Sequence, residues 1–191
     1  MNNFNYFNHQ TAIEIRFSGT GGQGLVLASI ILAEALMMDG FNVITAESHG
    51  IEARGGASSA EIIASKGDIY GLSVTQPDIL VVISQQACDK YYKNIKKDAL
   101  VIVDSSIVKD MPVFDSKNIY PLPFTKLVKE KLNTVLPTNI CFLGALVGIS
   151  KIVNTDSIKK AIVDRVPKNS ENINLKAFEL GFSLAKGEEE N

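Results

Sequence analysis

The sequence predicts an α/β protein, a three-layer Rossmann-like domain with a mostly parallel central sheet. The chain opens with a strand pattern, a glycine-rich turn, a helix pattern and a second strand, an order that favours a parallel sheet. Two later apolar runs, within Asp78–Ser84 and at Leu100–Val103, are typical of strands buried on both faces. The last third carries apolar residues at helical spacing, so helices are available to cover the sheet.

The first half of the chain predicts strands more often than helices. Alternating apolar and polar residues predict a strand at Ala12–Ser18. Apolar residues at helical spacing, with alanines that allow close packing, predict a helix at Leu25–Met38. Strands are also predicted at Phe41–Ala46 and at Ala57–Ser65, and the latter should place its alternate residues on one face: Ala60, Ile62 and Ala64. A polar segment at Gln85–Lys96, between the two buried strands, predicts a helix.

The second half predicts one short strand and four helices. The strand is expected at Asn118–Leu122, followed by an amphipathic helix at Thr125–Leu132. Pro137 precedes an apolar stretch that predicts a core helix, and Thr155 with Asp156 is expected to cap the next helix. The predicted bounds of these last three helices are Thr138–Ile152, Ser157–Asp164 and Asn172–Ala185.

Length and composition limit the organisation and the partners of the chain. With 191 residues, 46% of them hydrophobic, we expect a single domain over residues 12–186, after a flexible extension at 1–11 and before a polar tail at 187–191. The net charge of −2 provides no basic surface for nucleic acid. No apolar run reaches the roughly 18–20 residues of a transmembrane helix, so we expect no membrane partner and a cytoplasmic location.

Cys88 and Cys141 are the only cysteines, and they are far apart in the sequence. Iron–sulfur clusters and structural zinc usually take about four ligands, mostly cysteine or histidine. We therefore expect no metal site in this chain, and any cluster chemistry must belong to another polypeptide. Two reduced core cysteines are the favoured interpretation, with a disulfide or a reactive thiol as the alternative.

A glycine-rich turn follows the first predicted strand and opens the first predicted helix. It reads Gly-Thr-Gly-Gly-Gln-Gly and fits G-x-G-x-x-G through Gly19, Gly21 and Gly24. In that motif the glycines permit a tight turn, phosphate approach and close packing, and the helix N-terminus attracts negative charge. Glu47 ends the second strand near the position of a ribose-binding carboxylate. The turn predicts a phosphate-bearing ligand; the alternative is a turn needed only for backbone geometry and packing.

A second loop, Ser48–Gly56, follows the second strand and is dense in charge and glycine. Because ligands bind at the carboxyl ends of strands in parallel sheets, both loops should open onto the same edge. Arg54 is flanked by Gly55 and Gly56, so an anion or a partner could approach its guanidinium closely. A solvated arginine is the alternative, and His49 could either titrate or simply be hydrogen-bonded within the loop.

With these two loops the chain resembles the gamma subunits of 2-oxoacid:ferredoxin oxidoreductases, whose members carry G-x-G-G-Q-G and then roughly S-Y-G-P-E-x-R-G-G. Here Gly19–Gly24 and Ser48–Gly56 match, and the resemblance continues in order as far as Asn174–Gly181. His49 and Ile51 depart from the pattern, because the family usually has tyrosine and proline there. A histidine–glycine pair also resembles indolepyruvate oxidoreductase subunits, whereas Glu52–Gly56 resembles the 2-oxoglutarate or pyruvate branch. We favour 2-oxoglutarate.

The resemblance implies a subunit that works only within a larger enzyme. Such complexes decarboxylate a 2-oxoacid on thiamine diphosphate with Mg²⁺, pass electrons through iron–sulfur clusters to ferredoxin or another acceptor, and transfer the acyl group to coenzyme A. The implied partners are alpha, beta and delta-type subunits; the isolated chain should be inactive, bind no cofactor tightly, and could form a homodimer. No catalytic residue is assigned to this chain. The candidate cofactor-binding residues are Gly19, Gly21, Gly22, Gln23, Gly24, Ser48, His49, Gly50, Glu52, Arg54, Gly55 and Gly56.

Two other functions remain open from the sequence. One is a stand-alone dinucleotide-binding oxidoreductase, which the glycine turn and Glu47 would support. The other is an assembly module that binds no ligand, for which both loops would be contact surfaces for neighbouring subunits.

Overall fold

A computed structural model describes residues 12–48 and 56–187. These residues form six strands and six helices, with most of the strands in the first two thirds of the chain and four consecutive helices at the end. The strands are β1 Ile13–Thr20, β2 Asn42–Ser48, β3 Ala57–Ser65, β4 Ile79–Val82, β5 Leu100–Asp104 and β6 Asn118–Leu122. The helices are α1 Leu25–Met38, α2 Gln85–Tyr91, α3 Phe124–Leu132, α4 Thr138–Ser150, α5 Thr155–Arg165 and α6 Glu171–Lys186. None of the described helices is long and apolar enough to cross a membrane.

The strands form one sheet in the order β2-β3-β1-β4-β5-β6. Strands β1, β4, β5 and β6 pair in parallel, whereas β3 is antiparallel to both of its neighbours, β1 and β2. Strand β2 therefore runs in the same direction as β1 but does not touch it. The prediction of a mostly parallel sheet is confirmed, and the antiparallel β3 between the first two predicted strands is a feature that the sequence reading lacked.

Helices cover the sheet on both faces, which gives three layers. On one face, alternate residues of β1, β3, β4 and β5 pack against α1, α3, α4, α5 and α6, and Ala60, Ile62 and Ala64 lie there together as predicted. On the other face, Leu80, Val82, Val101 and Val103 pack against α2 and the segment that follows β5. The β4 and β5 strands are thus buried on both faces, as their continuous apolar sequences predict.

Several predicted element boundaries are wrong by a few residues. Strand β1 runs two residues further than predicted, because Gly19 and Thr20 pair with the start of β3. Helix α2 ends at Tyr91, not at Lys96. Helix α5 is capped by Asn154, whose side chain accepts a hydrogen bond from the Asp156 amide, so the predicted capping pair lies inside the helix instead.

Two helices on the covered face, α4 and α6, pack at glycines. A Cβ atom at Gly144 would lie 3.0 Å from the Phe182 amide nitrogen, and one at Gly181 would lie 2.8 Å from the Cys141 carbonyl carbon. The backbones therefore approach each other more closely than side chains at these positions would allow. Helix α4, which is buried along nearly its whole length, is held against α6 by this contact.

A buried ion pair joins β1 to β3 on the α2 face. The Arg16 Nε donates to Glu61 Oε1 at 2.8 Å, and the guanidinium lies 4.9 Å from the centre of the Tyr91 ring. Its Nη2 donates to the Val74 carbonyl, and the Val74 amide donates to Glu61 Oε2. The pair therefore satisfies its own charges and also fixes the connection between β3 and β4 to the sheet.

Candidate functional site: the glycine turn and its cleft

The glycine turn lies at the C-terminal edge of the parallel strands, directly after β1. The β2 strand ends at the same edge, since Ser48 pairs with Ser59 of β3, next to the Ser58 and Ala57 that pair with Gly19 and Thr20. Both predicted loops therefore leave the sheet on one side, as expected. At the two ends of the second loop, Ser48 is exposed and Gly56 is half-buried. The other candidate residues of this loop lie outside the described residues: His49, Gly50, Glu52, Arg54 and Gly55.

Gln23 holds the turn together. Its Oε1 accepts a hydrogen bond from the Thr20 amide at 2.6 Å, and its Nε2 donates to the Ile83 carbonyl at 3.1 Å. Ile83 in turn donates its amide to the Ser18 carbonyl at 2.9 Å. Both polar ends of the Gln23 side chain are therefore occupied within the protein, so this residue positions the turn between the ends of β1 and β4.

The glycines of the turn fall into two pairs with different physical roles. A Cβ atom at Gly19 would lie 2.7 Å from Ile83 Cγ1, and one at Gly24 would lie 2.5 Å from Asn139 Nδ2. These two positions need glycine for packing, and Gly24 also has a left-handed φ of 72°. By contrast, a Cβ at Gly21 or Gly22 would meet no described atom within 4 Å. The open stretch that a ligand could approach is therefore Gly21–Gly22.

The third motif glycine thus has a different packing partner from the one expected. The sequence motif predicts close packing of helix against strand at this position. In the structure, Gly24 instead contacts Asn139, the second residue of α4, whose Nδ2 donates to the Gly24 carbonyl at 3.3 Å. Asn139 is buried and joins the turn to the opposite wall of the site.

The N-terminus of α1 lies next to these glycines, and its free amides are not capped by a described side chain or balanced by an acidic residue. Gly24 is the N-cap, no side chain among the described residues caps the first turn, and that turn has no acidic residue. The first intrahelical bond runs from the Ala28 amide to the Gly24 carbonyl, so helix geometry leaves the three preceding amides without intrahelical partners. Aligned amides and the positive end of the helix dipole together favour an anion.

A cleft of about 750 Å³ lies in front of the glycine turn. Its second wall comes from sequence far from the turn: the α3–α4 loop, the start of α4 and the start of α6. That wall is mostly apolar and carries a few polar groups. This composition suits a ligand that has both apolar and polar parts. Besides Gly22, Gln23 and Gly24, the lining residues include Ile107, Thr125, Leu136, Thr138, Asn139, Ser170 and Asn174.

These second-wall residues were missed by the sequence reading of the site. Asn139 offered one usable signal, since it is a polar residue at the start of an otherwise apolar helix. The others are 80 or more positions away from the turn and have no motif that would connect them to it. Thr125 is held there by Asp104, a buried residue at the end of β5 that accepts hydrogen bonds from both the amide and the hydroxyl of Thr125.

The strand order argues against a dinucleotide site of the usual kind. Glu47 lies on β2, and the register runs from Glu47 to Ala60 of β3 and from there to Phe17 of β1. Glu47 is therefore two strands away from β1, about 10 Å, and level with a residue that precedes the turn. A ribose-binding carboxylate normally ends the strand beside the one that carries the turn. The inserted β3 removes that adjacency.

The two cysteines are buried and free, as the favoured interpretation predicted. Burial raises the pKa of the Cys88 thiol to about 11 and that of Cys141 to about 12. Thiols with such values are protonated near neutral pH and are poor nucleophiles. Neither cysteine lines the cleft, so both serve the core.

Comparison with known proteins identifies the family. The model of the pyruvate ferredoxin/flavodoxin oxidoreductase family matches residues 14–184, which is most of the chain. The chain belongs to this family. The family match includes the glycine turn, the cleft walls and all six strands, so the sequence-based resemblance is confirmed.

Individual relatives agree with this assignment over most of their length. The 2-oxoglutarate synthase subunit KorC of Methanocaldococcus jannaschii is 44% identical over 176 residues, 91% of this chain and 94% of that protein. The crystal structure of the keto/oxoacid ferredoxin oxidoreductase gamma subunit of Geobacter sulfurreducens has a TM-score of 0.83 and 38% identity, over 92% of this chain and 99% of that one.

A third comparison concerns the fold alone. The 2-oxoglutarate:ferredoxin oxidoreductase of Magnetococcus marinus, solved with 2-oxoglutarate, coenzyme A and succinyl-CoA bound, has a TM-score of 0.82 at 22% identity. The match covers 94% of this chain and 32% of that one, so the fold described here corresponds to about a third of a longer polypeptide.

Proposed function

We propose that this chain is the gamma subunit of a 2-oxoacid:ferredoxin oxidoreductase complex that converts 2-oxoglutarate into an acyl-CoA. Family membership supports the reaction class, and the 44% identity with a 2-oxoglutarate synthase subunit over nearly the full length of both proteins supports the substrate. In this proposal the alpha, beta and delta-type partner subunits that the resemblance implies hold thiamine diphosphate with Mg²⁺ and the iron–sulfur clusters. Ferredoxin is the electron acceptor of the complex. The division into residues 1–11, 12–186 and 187–191 and the cytoplasmic location remain predictions.

Within this complex, we propose that the glycine turn and its cleft bind coenzyme A. The observation that carries the proposal is the N-terminus of α1, which has no described side-chain cap and lies beside the bare backbone of Gly21 and Gly22, the second of which lines the cleft. Coenzyme A combines phosphates, which suit the helix N-terminus, with a long pantetheine arm, which suits the mixed second wall. In this proposal Gln23 and Asn139 position the turn, whereas Arg54 of the second loop supplies a cation for a phosphate.

The first test concerns the class of enzyme. The chain is purified with an affinity tag from its native host, and the copurifying subunits are identified by mass spectrometry. The material is assayed for coenzyme A-dependent reduction of a viologen dye with 2-oxoglutarate, pyruvate and indolepyruvate. We expect thiamine- and cluster-containing partners and a preference for 2-oxoglutarate. A lone chain that retains a dinucleotide would refute the assignment.

The second test concerns the coenzyme A site and uses the assembled complex. A Gly21→Ala substitution places a methyl group where the structure has open space, so the fold should persist while phosphate approach is hindered. Arg54→Ala removes the proposed cation. We expect each to raise the apparent KM for coenzyme A about tenfold, with the KM for 2-oxoglutarate unchanged. The matched control is Gly67→Ala, whose added Cβ would have only an ordinary contact, 3.9 Å from Ser65 Oγ, at the opposite edge of the sheet.

One observation favours a second role for the same surface. Several apolar side chains at the cleft are exposed, with Leu136 87% exposed and Val135 and Ile107 partly so. A neighbouring subunit that covers the cleft would bury them. If the site only contacts a subunit, Leu136→Ser and Gly21→Ala will both weaken copurification of the partners, and the KM for coenzyme A will stay constant in whatever complex remains.

A further inference from the structure

Strand β2 is an open edge of the sheet. It pairs only with β3 among the described strands, and none of its seven residues is buried. An unpaired edge presents a row of amides and carbonyls that can pair with another chain, and proteins usually protect such edges with proline, lysine or short length. The opposite edge strand, β6, is protected in this way, because it is five residues long and contains Pro121. Strand β2 has neither proline nor lysine.

An exposed apolar surface adjoins this open edge on the α2 face of the sheet. Ile44 and Ala46 of β2 line a shallow depression together with Ile63 of β3 and Leu72. The Leu72 side chain is 79% exposed, and the nearby Tyr70 is 94% exposed. The open edge and the apolar surface are therefore continuous, as expected for one contact area rather than for unrelated surface residues.

The sequence of β2 is complementary to itself in one antiparallel register. If Thr45 faces Thr45 of a second copy, Ile44 faces Ala46, Val43 faces Glu47 and Asn42 faces Ser48. Threonine–threonine and apolar cross-strand pairs are favourable, and no like charges stand opposite each other. The two Glu47 carboxylates, the only charges of β2, would be about 14 Å apart along the strands, beyond the range of strong repulsion in physiological salt.

We propose that β2 is the docking site for a second copy of this chain. The two strands pair antiparallel about a two-fold axis through Thr45 and join the two six-stranded sheets into one. Because directly opposite residues point to the same face, Ile44, Ala46 and Leu72 of both copies come together on one side. The glycine turn and its cleft lie on the β4–β5 side of β1, away from β2, so this pairing leaves them free. The inference is independent of the substrate and of coenzyme A binding.

Disulfide trapping of the full-length chain tests the register. Opposite residues of an antiparallel pair have Cα atoms about 4.5–5.5 Å apart, within the range of a disulfide. The Thr45→Cys chain should form a covalent dimer under mild oxidation, seen on non-reducing gels, and the native cysteines are buried. Ser48→Cys is the matched control, because its two copies would be about 20 Å apart and should not cross-link. A mixture of Asn42→Cys and Ser48→Cys chains should cross-link again.

Light scattering after gel filtration tests whether β2 is needed for association. The unmodified chain at micromolar concentration should elute at twice the monomer mass. Thr45→Lys, which places two cations at the axis, should reduce it to a monomer, whereas Val113→Lys, at another exposed apolar position, should not. The proposal is overturned if the unmodified chain is monomeric, if Thr45→Lys remains dimeric, or if Ser48→Cys cross-links as readily as Thr45→Cys.

Discussion

The contact between α4 and α6 makes a strong prediction for stability. In Gly181→Ala, the new methyl group would lie 2.8 Å from the Cys141 carbonyl carbon and 3.0 Å from the Ala145 amide nitrogen. Both neighbours are backbone atoms of α4, so no side chain can rotate away to make room. The two helices would have to separate, and α4 is packed on all sides by the core.

Two effects of opposite sign determine the magnitude. Alanine favours a helix interior over glycine by about 1 kcal/mol. Overpacking of a rigid core contact costs typically 1–3 kcal/mol and sometimes more, and here the obstruction is backbone. We therefore expect a net loss of about 2 kcal/mol in the free energy of unfolding. For a chain of this size, that corresponds to a melting temperature lower by roughly 4–8 °C.

Urea unfolding of the two proteins, followed by circular dichroism, measures this difference. Gly148→Ala in α4 is the matched control, because the nearest atom to its Cβ would be the Ala185 methyl at 2.9 Å, and the nearest backbone atom, the Phe182 carbonyl oxygen, would be 3.2 Å away. We expect this control to lose less than half as much stability as Gly181→Ala. If Gly181→Ala unfolds at the same or a higher urea concentration with an unchanged slope, the backbone contact does not limit the approach of the helices.

Three further predictions follow from buried groups and from one helix cap. Arg16→Met should lower the free energy of unfolding by about 3–5 kcal/mol, since it leaves the largely buried Glu61 carboxylate without its guanidinium partner. The double variant Arg16→Met/Glu61→Gln should recover part of that loss in the same urea assay. Neither Cys88 nor Cys141 should react with a thiol reagent at about pH 8 in the folded protein, because the raised pKa values keep both protonated, and both should react after denaturation. Asn154→Ala should cost about 1 kcal/mol by removing the α5 cap, again measured by urea unfolding.

The sequence predicted each of the described strands and helices because their signals are local. The alternation in Ala57–Ser65 and the helical spacing in Leu25–Met38 need no knowledge of the rest of the chain, and both elements are confirmed. The insertion of β3 between β1 and β2 could not be predicted in this way. Strand direction depends on pairing between distant segments, and the pattern of side chains in β3 is the same whether it runs parallel or antiparallel.

In the candidate site too, features with a local sequence signal could be predicted and features that depend on distant contacts could not. Its glycine turn was recognisable because a motif of six consecutive residues carries it. The second wall was not, because Asn139 is 115 positions away from Gly24 and only the packing of α4 brings the two together. Even within the motif, the sequence could not distinguish two kinds of glycine. At Gly19 and Gly24 neighbouring atoms occupy the space that a side chain would need, whereas at Gly21 and Gly22 that space is free. That distinction depends on Ile83 and Asn139, and both come from other elements.

Three features of the described surface differ from what an independent monomer would present. The cleft is bordered by the exposed Leu136, the β2 edge is unprotected, and Leu72 lies exposed beside that edge. Burying each of these would cost little, since their polar backbone groups would find partners in a neighbouring strand and their apolar side chains would leave water. The buried interior, by contrast, has its charges paired at Arg16–Glu61 and its thiols protonated. The described residues therefore satisfy their charges in the interior and leave two separate surfaces open, which is what the proposed contacts with a second copy and with partner subunits require.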